Sequence, residues 1–166
     1  MKESDLNRII NKTFNKIGFS HKEPDPSGTE VTMTVKRPFD IFCVNNCFIA
    51  YIESKLLKGY KAFSFSLLRE HQIEGLSKIN SVVPKEIYGS YVYAVIAVGV
   101  WESRKFFDLY FFDISLILSL INLGKKSISK KELLKLKEDK KFNIIKGEFI
   151  VDSIEDIKNK IIFNIG

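Results

Sequence analysis

The chain has 166 residues, of which 45% are hydrophobic and 28% are charged. This length and composition are typical of one globular domain with its own core, and they exclude a disordered chain, a collagen-like repeat and a disulfide-stapled miniprotein. There are 26 Lys and Arg against 20 Asp and Glu, and the resulting net charge of +6 favours a polyanionic partner such as nucleic acid. We therefore expect a single domain over residues 1–166.

Nothing in the sequence indicates a secreted or membrane protein. The first ten residues lack the apolar core of a signal peptide, and the most apolar run, residues 114–123, has about half the length that spans a bilayer. The 2 Cys and 2 His are too few and too scattered for a four-ligand zinc site. We expect a cytoplasmic protein with reduced cysteines and no membrane partner.

The amino-terminal part predicts a helix followed by a loop. Apolar residues recur at helical spacing over residues 3–17, and Gly18 follows as a stop signal. Residues 21–37 contain two prolines and a glycine and then alternate apolar with polar residues. This pattern predicts a loop that leads into an exposed strand near residues 31–35.

A buried hairpin is predicted next. Two β-branched and aromatic runs flank Asn45-Asn46, a pair that tolerates the positive φ angles of a tight turn. We expect these two residues to form the loop, with Val44 opposite Cys47.

The remaining chain alternates predicted helices with predicted strands. Asp113 stands where a helix N-cap is expected, and Ser129 with Glu132 has the spacing of a capping box. The order of elements predicts a mixed α/β fold, with a central β-sheet flanked by helices. The predicted elements are helices over residues 66–80, 114–123 and 153–160 and strands over residues 91–100 and 106–112.

Three ionisable residues share one predicted face of the hairpin. The predicted loop places Asp40 opposite Tyr51, and Glu53 and Lys55 then project on the same side as Asp40. Asp40 and Glu53 are then diagonal neighbours on the paired strands, close enough for both carboxylates to bind one divalent cation. Bound Mg²⁺ or Mn²⁺ would polarise a phosphate and supply a hydroxide that a lysine can orient. The pattern indicates a phosphodiester-cleaving site. The alternative is that Asp40 ends a strand while Glu53 and Lys55 form a solvated edge.

Two more polar residues fall on apolar stripes of predicted helices. Gln72 lies in the stripe of the second helix, where an unsatisfied amide costs on the order of 1 to 3 kcal/mol. Glu3 lies on the stripe of the first helix and is a candidate outer metal ligand. The alternatives are that Gln72 extends to solvent and that Glu3 is a first-turn acid favoured by the helix dipole. Together the two residues suggest a polar pocket.

Three short motifs follow one another along the chain: Pro38-Phe39-Asp40, Glu53-Ser54-Lys55 and His71-Gln72-Ile73-Glu74. In this order they resemble the signature of the PD-(D/E)xK nucleases, most closely that of RecU-type Holliday junction resolvases. The similarity extends over most of the chain. It includes the first-helix acidic segment at residues 3–7, Ser64-Phe65 before the second helix, and the basic capping segment at residues 126–133.

The resemblance implies a restriction-endonuclease-like core with a metal site. Asp40, Glu53 and the main-chain carbonyl of Ser54 would bind Mg²⁺, for which Mn²⁺ is a possible substitute. Lys55 would position the attacking water.

The resemblance also implies roles for two residues of predicted helices, Glu3 and Gln72, and it implies which partners the protein binds. Glu3 would complete the acidic cluster as an outer ligand, and Gln72 would hydrogen-bond within the site or to the phosphate. The family acts as a homodimer whose two active sites cut symmetric strands of a four-way junction. The implied partners are therefore branched DNA and a second copy of the chain, with no small-molecule substrate, in a bacterial cell or a phage-infected host.

The chain departs from the family pattern in two places. Phe39 stands where family members usually carry Thr or Ser, and only residues 28–37 stand where they carry a long stalk that enters the junction. The stalk difference keeps open a nuclease of this superfamily that acts on plain duplex, flap or restriction-type DNA. A further alternative is a non-catalytic DNA-binding scaffold with a nuclease-like fold, against which the presence of all of Asp40, Glu53, Lys55 and Gln72 argues.

Basic residues flank the predicted site in sequence and are candidates for phosphate contacts. The first cluster brackets the hairpin and is the preferred one; the second lies in the lysine-rich carboxyl-terminal part. The clusters are Lys22, Lys36, Arg37, Lys58, Lys61 and Arg69, and Lys125, Lys126, Lys130 and Lys131.

Overall fold

The fold is taken from a computed structural model, which describes residues 1–23, 37–102 and 107–166. The helices in these ranges are α1 (Glu3–Ile17), α2 (Glu70–Val82), α3 (Ile114–Asn122), α4 (Lys130–Leu136) and α5 (Ile154–Lys160), with a 3₁₀ turn at Phe65–Leu67. The strands are β1 (Phe19–Lys22), β2 (Ile41–Val44), β3 (Phe48–Lys58), β4 (Phe63–Ser64), β5 (Glu86–Ile87), β6 (Ser90–Trp101), β7 (Phe107–Asp113), β8 (Ser127–Ile128), β9 (Phe142–Ile145) and β10 (Glu148–Phe149).

A mixed β-sheet forms the centre of the fold. Its strand order is β1-β2-β3-β6-β7-β9-β10, with β5 paired to β6. The long central strands β3 and β6 run parallel, and the other pairs in the sheet are antiparallel. Strands β4 and β8 form a separate two-stranded sheet. The prediction of a mixed α/β fold with a central sheet flanked by helices is confirmed.

Helices cover both faces of this sheet. Leu6 and Ile10 of α1 belong to the core cluster on one face, and Leu76 of α2 and Ile117 of α3 belong to the cluster on the other. Because side chains alternate along a strand, neighbouring residues of β3 are divided between these two clusters. Polar side chains in the middle of β3 therefore lie under helices, on one face of the sheet or the other.

Several local predictions are confirmed. Helix α1 has the predicted bounds, and Asp113 caps α3 by accepting a hydrogen bond from the Ser115 N–H at 2.9 Å. Ser129 and Glu132 form the predicted capping box, with distances of 2.7 and 3.2 Å between the paired atoms. These features depend on residues two to four positions apart, which the sequence places together.

The second helix begins four residues later than predicted. Residues Phe65–Leu67 form a 3₁₀ turn, and α2 starts at Glu70. Arg69 is its N-cap, because its backbone N–H donates to the side-chain Oε1 of Gln72 at 2.9 Å. The polar residue in the apolar stripe thus sets the start of the helix.

The predicted hairpin loop is wrong by one residue. The N–H of Asn45 donates to the carbonyl of Phe48 at 3.0 Å, so these two residues pair. The Asn45 side-chain oxygen accepts from the N–H groups of Cys47 at 2.8 Å and Phe48 at 3.0 Å. Asn46 and Cys47 therefore form the loop, and Val44 does not lie opposite Cys47.

This change moves the strand register by two residues. Phe42, not Asp40, lies opposite Tyr51. A shift of two preserves the faces of all side chains, whereas a shift of one would reverse them. Asp40 and Glu53 consequently still project on one face. The predicted strand near residues 31–35 lies outside the described residues.

Within the described ranges, no helix is long and apolar enough to cross a membrane.

Candidate active site

Asp40 lies where the regular pairing of β2 with β3 ends. Its backbone N–H donates to the carbonyl of Ile52 at 2.8 Å. Its side-chain Oδ2 accepts a hydrogen bond from the N–H of Ser54 at 3.1 Å. The Asp40 side chain thus takes the place of the next backbone hydrogen bond between the two strands. This bond holds the Asp40 carboxylate beside the part of β3 that carries Glu53.

Glu53 is a buried carboxylate held by two donors. The residue is 1% exposed, and its Oε1 accepts hydrogen bonds from Lys55 Nζ at 2.7 Å and from Gln72 Nε2. Burial, followed by the negative charge of Asp40, raises the pKa of Glu53 to about 7, although the Lys55 ammonium favours the ionised form. The site therefore carries more negative charge than its own lysine balances.

Lys55 is the cation of this site. Its side chain is 8% exposed and contacts Glu53 directly. The alternative in which Glu53 and Lys55 form a solvated edge is therefore wrong. Lys55 lies beyond the point where β2 pairs with β3, and Glu3 at the start of α1 approaches to 3.9 Å from Lys55 Nζ. The Glu3 side chain is half-exposed, so it lies at the outer side of this group of charged residues.

Gln72 uses both ends of its amide inside the protein. Its Nε2 donates to Glu53, and its Oε1 accepts from the N–H of Arg69. The residue is 8% exposed, so it does not extend to solvent. Gln72 thus belongs to a buried polar cluster with Glu53 and Lys55, and it links this cluster to α2.

Ser54 contributes its backbone. Its N–H points toward Asp40, and in a β-strand the N–H and C=O of one residue face the same edge. The Ser54 carbonyl therefore faces the edge of β3 where Asp40 lies. The Ser54 hydroxyl is buried on the opposite face of the strand and has no hydrogen-bond partner among the described residues.

The donor set fits a hard divalent cation of the Mg²⁺ type. Two adjacent carboxylates and a backbone carbonyl are oxygen ligands, and Mg²⁺ in proteins is usually held by one or two carboxylates together with waters and substrate phosphate. No group of three or more His, Cys, Asp or Glu residues that could hold a metal occurs in the part of the chain that the structure describes. A cation held by these two carboxylates and the carbonyl would complete its coordination with waters and substrate phosphate.

The basic residues predicted to contact DNA phosphates differ in how exposed they are. Arg37 is half-buried and donates to the carbonyl of Glu23 at 2.7 Å, and Lys22 is half-buried as well. Lys36 lies outside the described residues. The exposed candidates are Lys58, Lys61, Arg69, Lys125, Lys126, Lys130 and Lys131.

A second buried polar cluster was not predicted. Tyr60 donates to Asp108 at 2.5 Å and shares a 2.5 Å hydrogen bond with the hydroxyl of Tyr110. Lys137 and Lys141 approach the same carboxylate to 3.6 and 3.4 Å. The signal in the sequence is Asp108 itself, an acid inside a strand of otherwise aromatic and aliphatic residues.

No family model matches this chain, and no curated protein matches its sequence.

Proposed function

We propose that the protein is a Mg²⁺-dependent endodeoxyribonuclease with a restriction-endonuclease-like core, and that it resolves four-way DNA junctions by phosphodiester hydrolysis. One observation supports this proposal above the others. Glu53 is buried and bound by Lys55 and Gln72, and the Asp40 carboxylate accepts a hydrogen bond from the N–H of the next residue, Ser54. A buried, carboxylate-rich group with one lysine is a costly arrangement unless a cation or a reaction uses it.

The metal ligands in this proposal are Asp40, Glu53 and the Ser54 carbonyl, and Mn²⁺ is an acceptable substitute for Mg²⁺. When bound, such an ion polarises the scissile phosphate and lowers the pKa of a water molecule. Glu53 must be ionised to take part, and a nearby cation favours that form. Glu3 adds negative charge at the outer side of the site.

Lys55 acts on the attacking water. Its ammonium group is fixed by Glu53 at 2.7 Å, so its position is defined before substrate arrives. A fixed ammonium can orient the water and stabilise the charge that develops on the phosphate oxygens. Gln72 keeps Glu53 in place and is itself held by the start of α2.

The choice of a branched substrate and of a homodimer depends on the resemblance to RecU-type resolvases. Only residues 28–37 stand where the family carries its long stalk. Junction binding then has to use a smaller arm together with the basic surface. The same catalytic site would also cut plain duplex DNA, so the substrate has to be tested directly.

The test compares two substrates with one protein. End-labelled four-way junction and linear duplex of matching sequence are incubated with Mg²⁺ or with a chelator, and nicks are mapped. We expect paired, metal-dependent nicks at the junction. Asp40→Asn should abolish cutting and keep DNA binding, whereas Asp152→Asn, at an exposed acid away from the site, should cut normally. Equal cutting of both substrates would assign a general nuclease, and binding without cutting would assign a scaffold.

A further inference from the structure

Two basic segments that are distant in sequence meet in the β4–β8 sheet, which we call the ribbon. Ser64 lies opposite Ser127 in the ribbon. The N–H of Phe65 donates to the carbonyl of Lys126 at 3.0 Å. The segment after Tyr60 and the segment before α4 therefore form one surface, although the sequence presents them as two clusters.

The ribbon leads directly to the candidate active site. It is followed by the 3₁₀ turn and then by Arg69, the N-cap of α2. The Arg69 N–H is bound by Gln72, and Gln72 binds Glu53. A single side chain thus separates the backbone of Arg69 from the carboxylate site.

The charges on this surface are not equivalent. Arg69 and Lys126 are exposed, whereas Lys125 is bound to Glu132 at 3.1 Å and Glu132 also accepts from the N–H of Ser129. Lys125 is therefore neutralised within the chain as part of the cap of α4. Glu70, in the first turn of α2, is the acid adjacent to Arg69 in sequence.

Two hydroxyl groups lie in the segment that runs from the ribbon to Arg69. Ser64 Oγ and Ser66 Oγ are 2.8 Å apart, and Ser64 Oγ also accepts from the N–H of Ser66. The hydrogen bond between the hydroxyls uses one of their two protons. The other proton can be donated to an acceptor outside the pair, and a phosphate oxygen is such an acceptor.

We propose that the DNA strand at the active site continues past Arg69 onto the ribbon, where Lys126 and the Ser64–Ser66 pair hold its phosphates. This inference rests on the proposed nuclease function, because it takes the scissile phosphate to lie beside Glu53. It assigns Lys126, and not Lys125, as the phosphate contact of the second basic cluster.

The test measures DNA binding without divalent metal, so that it does not depend on catalysis. Fluorescence anisotropy gives the Kd for labelled four-way junction over a range of salt concentrations. We expect Arg69→Gln and Lys126→Gln each to weaken binding about tenfold and to reduce the salt slope by about one. Ser66→Ala should weaken binding by a smaller factor. Lys125→Gln and Lys146→Gln, the latter in the β9–β10 turn, should bind like the unmodified protein.

Wild-type affinity in Lys126→Gln and Arg69→Gln would overturn the proposal, even if the protein cuts DNA normally. An equal loss in Lys125→Gln and Lys146→Gln would also overturn it, because binding would then follow net charge alone. The expected pattern in a protein that cuts no DNA would support the surface while contradicting the nuclease function. The binding and cleavage measurements therefore distinguish a failure of this proposal from a failure of the nuclease function.

Discussion

Gln72 connects the start of α2 to the buried carboxylate of Glu53. Its Nε2 donates to Glu53 Oε1, and its Oε1 accepts from the N–H of Arg69 at 2.9 Å. One amide therefore caps a helix and positions a candidate metal ligand. A change at this residue affects stability and the site together.

Gln72→Ala should lower the free energy of unfolding by about 1 to 3 kcal/mol, because it leaves a buried carboxylate without one donor and a helix N–H without its acceptor. Urea unfolding monitored by circular dichroism measures the change. Glu70→Ala, at an exposed residue of the same helical turn, is the matched control and should stay within about 0.5 kcal/mol. Equal losses in both variants would contradict the role of Gln72.

The stability of the protein without metal should depend on the ionisation of Glu53. Burial, followed by the charge of Asp40, raises the pKa of Glu53 from 4.5 to about 7. Between these two values the folded state binds more protons than the unfolded state, so stability should fall as the pH rises through this window. Thermal unfolding at several pH values between 4.5 and 8, in a chelator, measures this fall.

Glu53→Gln is the control for this pH effect. Glutamine retains most of the shape of the side chain but does not titrate, so the variant should lose less stability than the wild type between pH 5 and pH 8. Adding Mg²⁺ at pH 8 should raise the melting temperature of the wild type and leave that of Glu53→Gln nearly unchanged. The same pH dependence in both proteins would assign the fall to other groups.

Lys55→Met should reduce cutting by a factor of about 100 or more, because a fixed cation at the reacting phosphate is lost. Single-turnover cleavage at saturating DNA measures the rate. Lys58→Met is the matched control on the same strand: Lys58 is exposed at the end of β3, so its loss should affect affinity and not the saturated rate. An active Lys55→Met protein would exclude the proposed role of Lys55.

The local parts of this fold were predictable, and the long-range parts were not. The capping box of Ser129 and Glu132 spans three residues, so the sequence contains the whole interaction. The hairpin loop was misplaced because Asn45 and Asn46 have the same turn preference, and only the Asn45 side-chain hydrogen bonds distinguish them. A two-residue shift preserves side-chain faces, so the predicted grouping of Asp40 with Glu53 was unaffected.

The partners of buried polar groups were the least predictable part. Gln72 was expected to need a partner, but its contact with Glu53 joins residues 19 positions apart through the packing of α2 on the sheet. The bond between Tyr60 and Asp108 spans 48 positions. No spacing rule in the sequence brings such residues together, since their proximity is a result of the sheet order.

The Tyr60 hydroxyl should contribute to stability without contributing to cutting. It donates to the buried Asp108 and also contacts Tyr110, and burial raises the pKa of Tyr110 to about 12. Tyr60→Phe removes one donor from a carboxylate that Lys137 and Lys141 still approach, so the free energy of unfolding should fall by about 1 to 3 kcal/mol. Tyr88→Phe, at a fully exposed tyrosine, should change it by less than about 0.5 kcal/mol. Urea unfolding measures the stability of both variants, and single-turnover cleavage measures their cutting rate. A Tyr60→Phe protein of normal stability would contradict the stabilising role of the hydroxyl. A Tyr60→Phe protein of normal stability but reduced cutting would place Tyr60 in the active site.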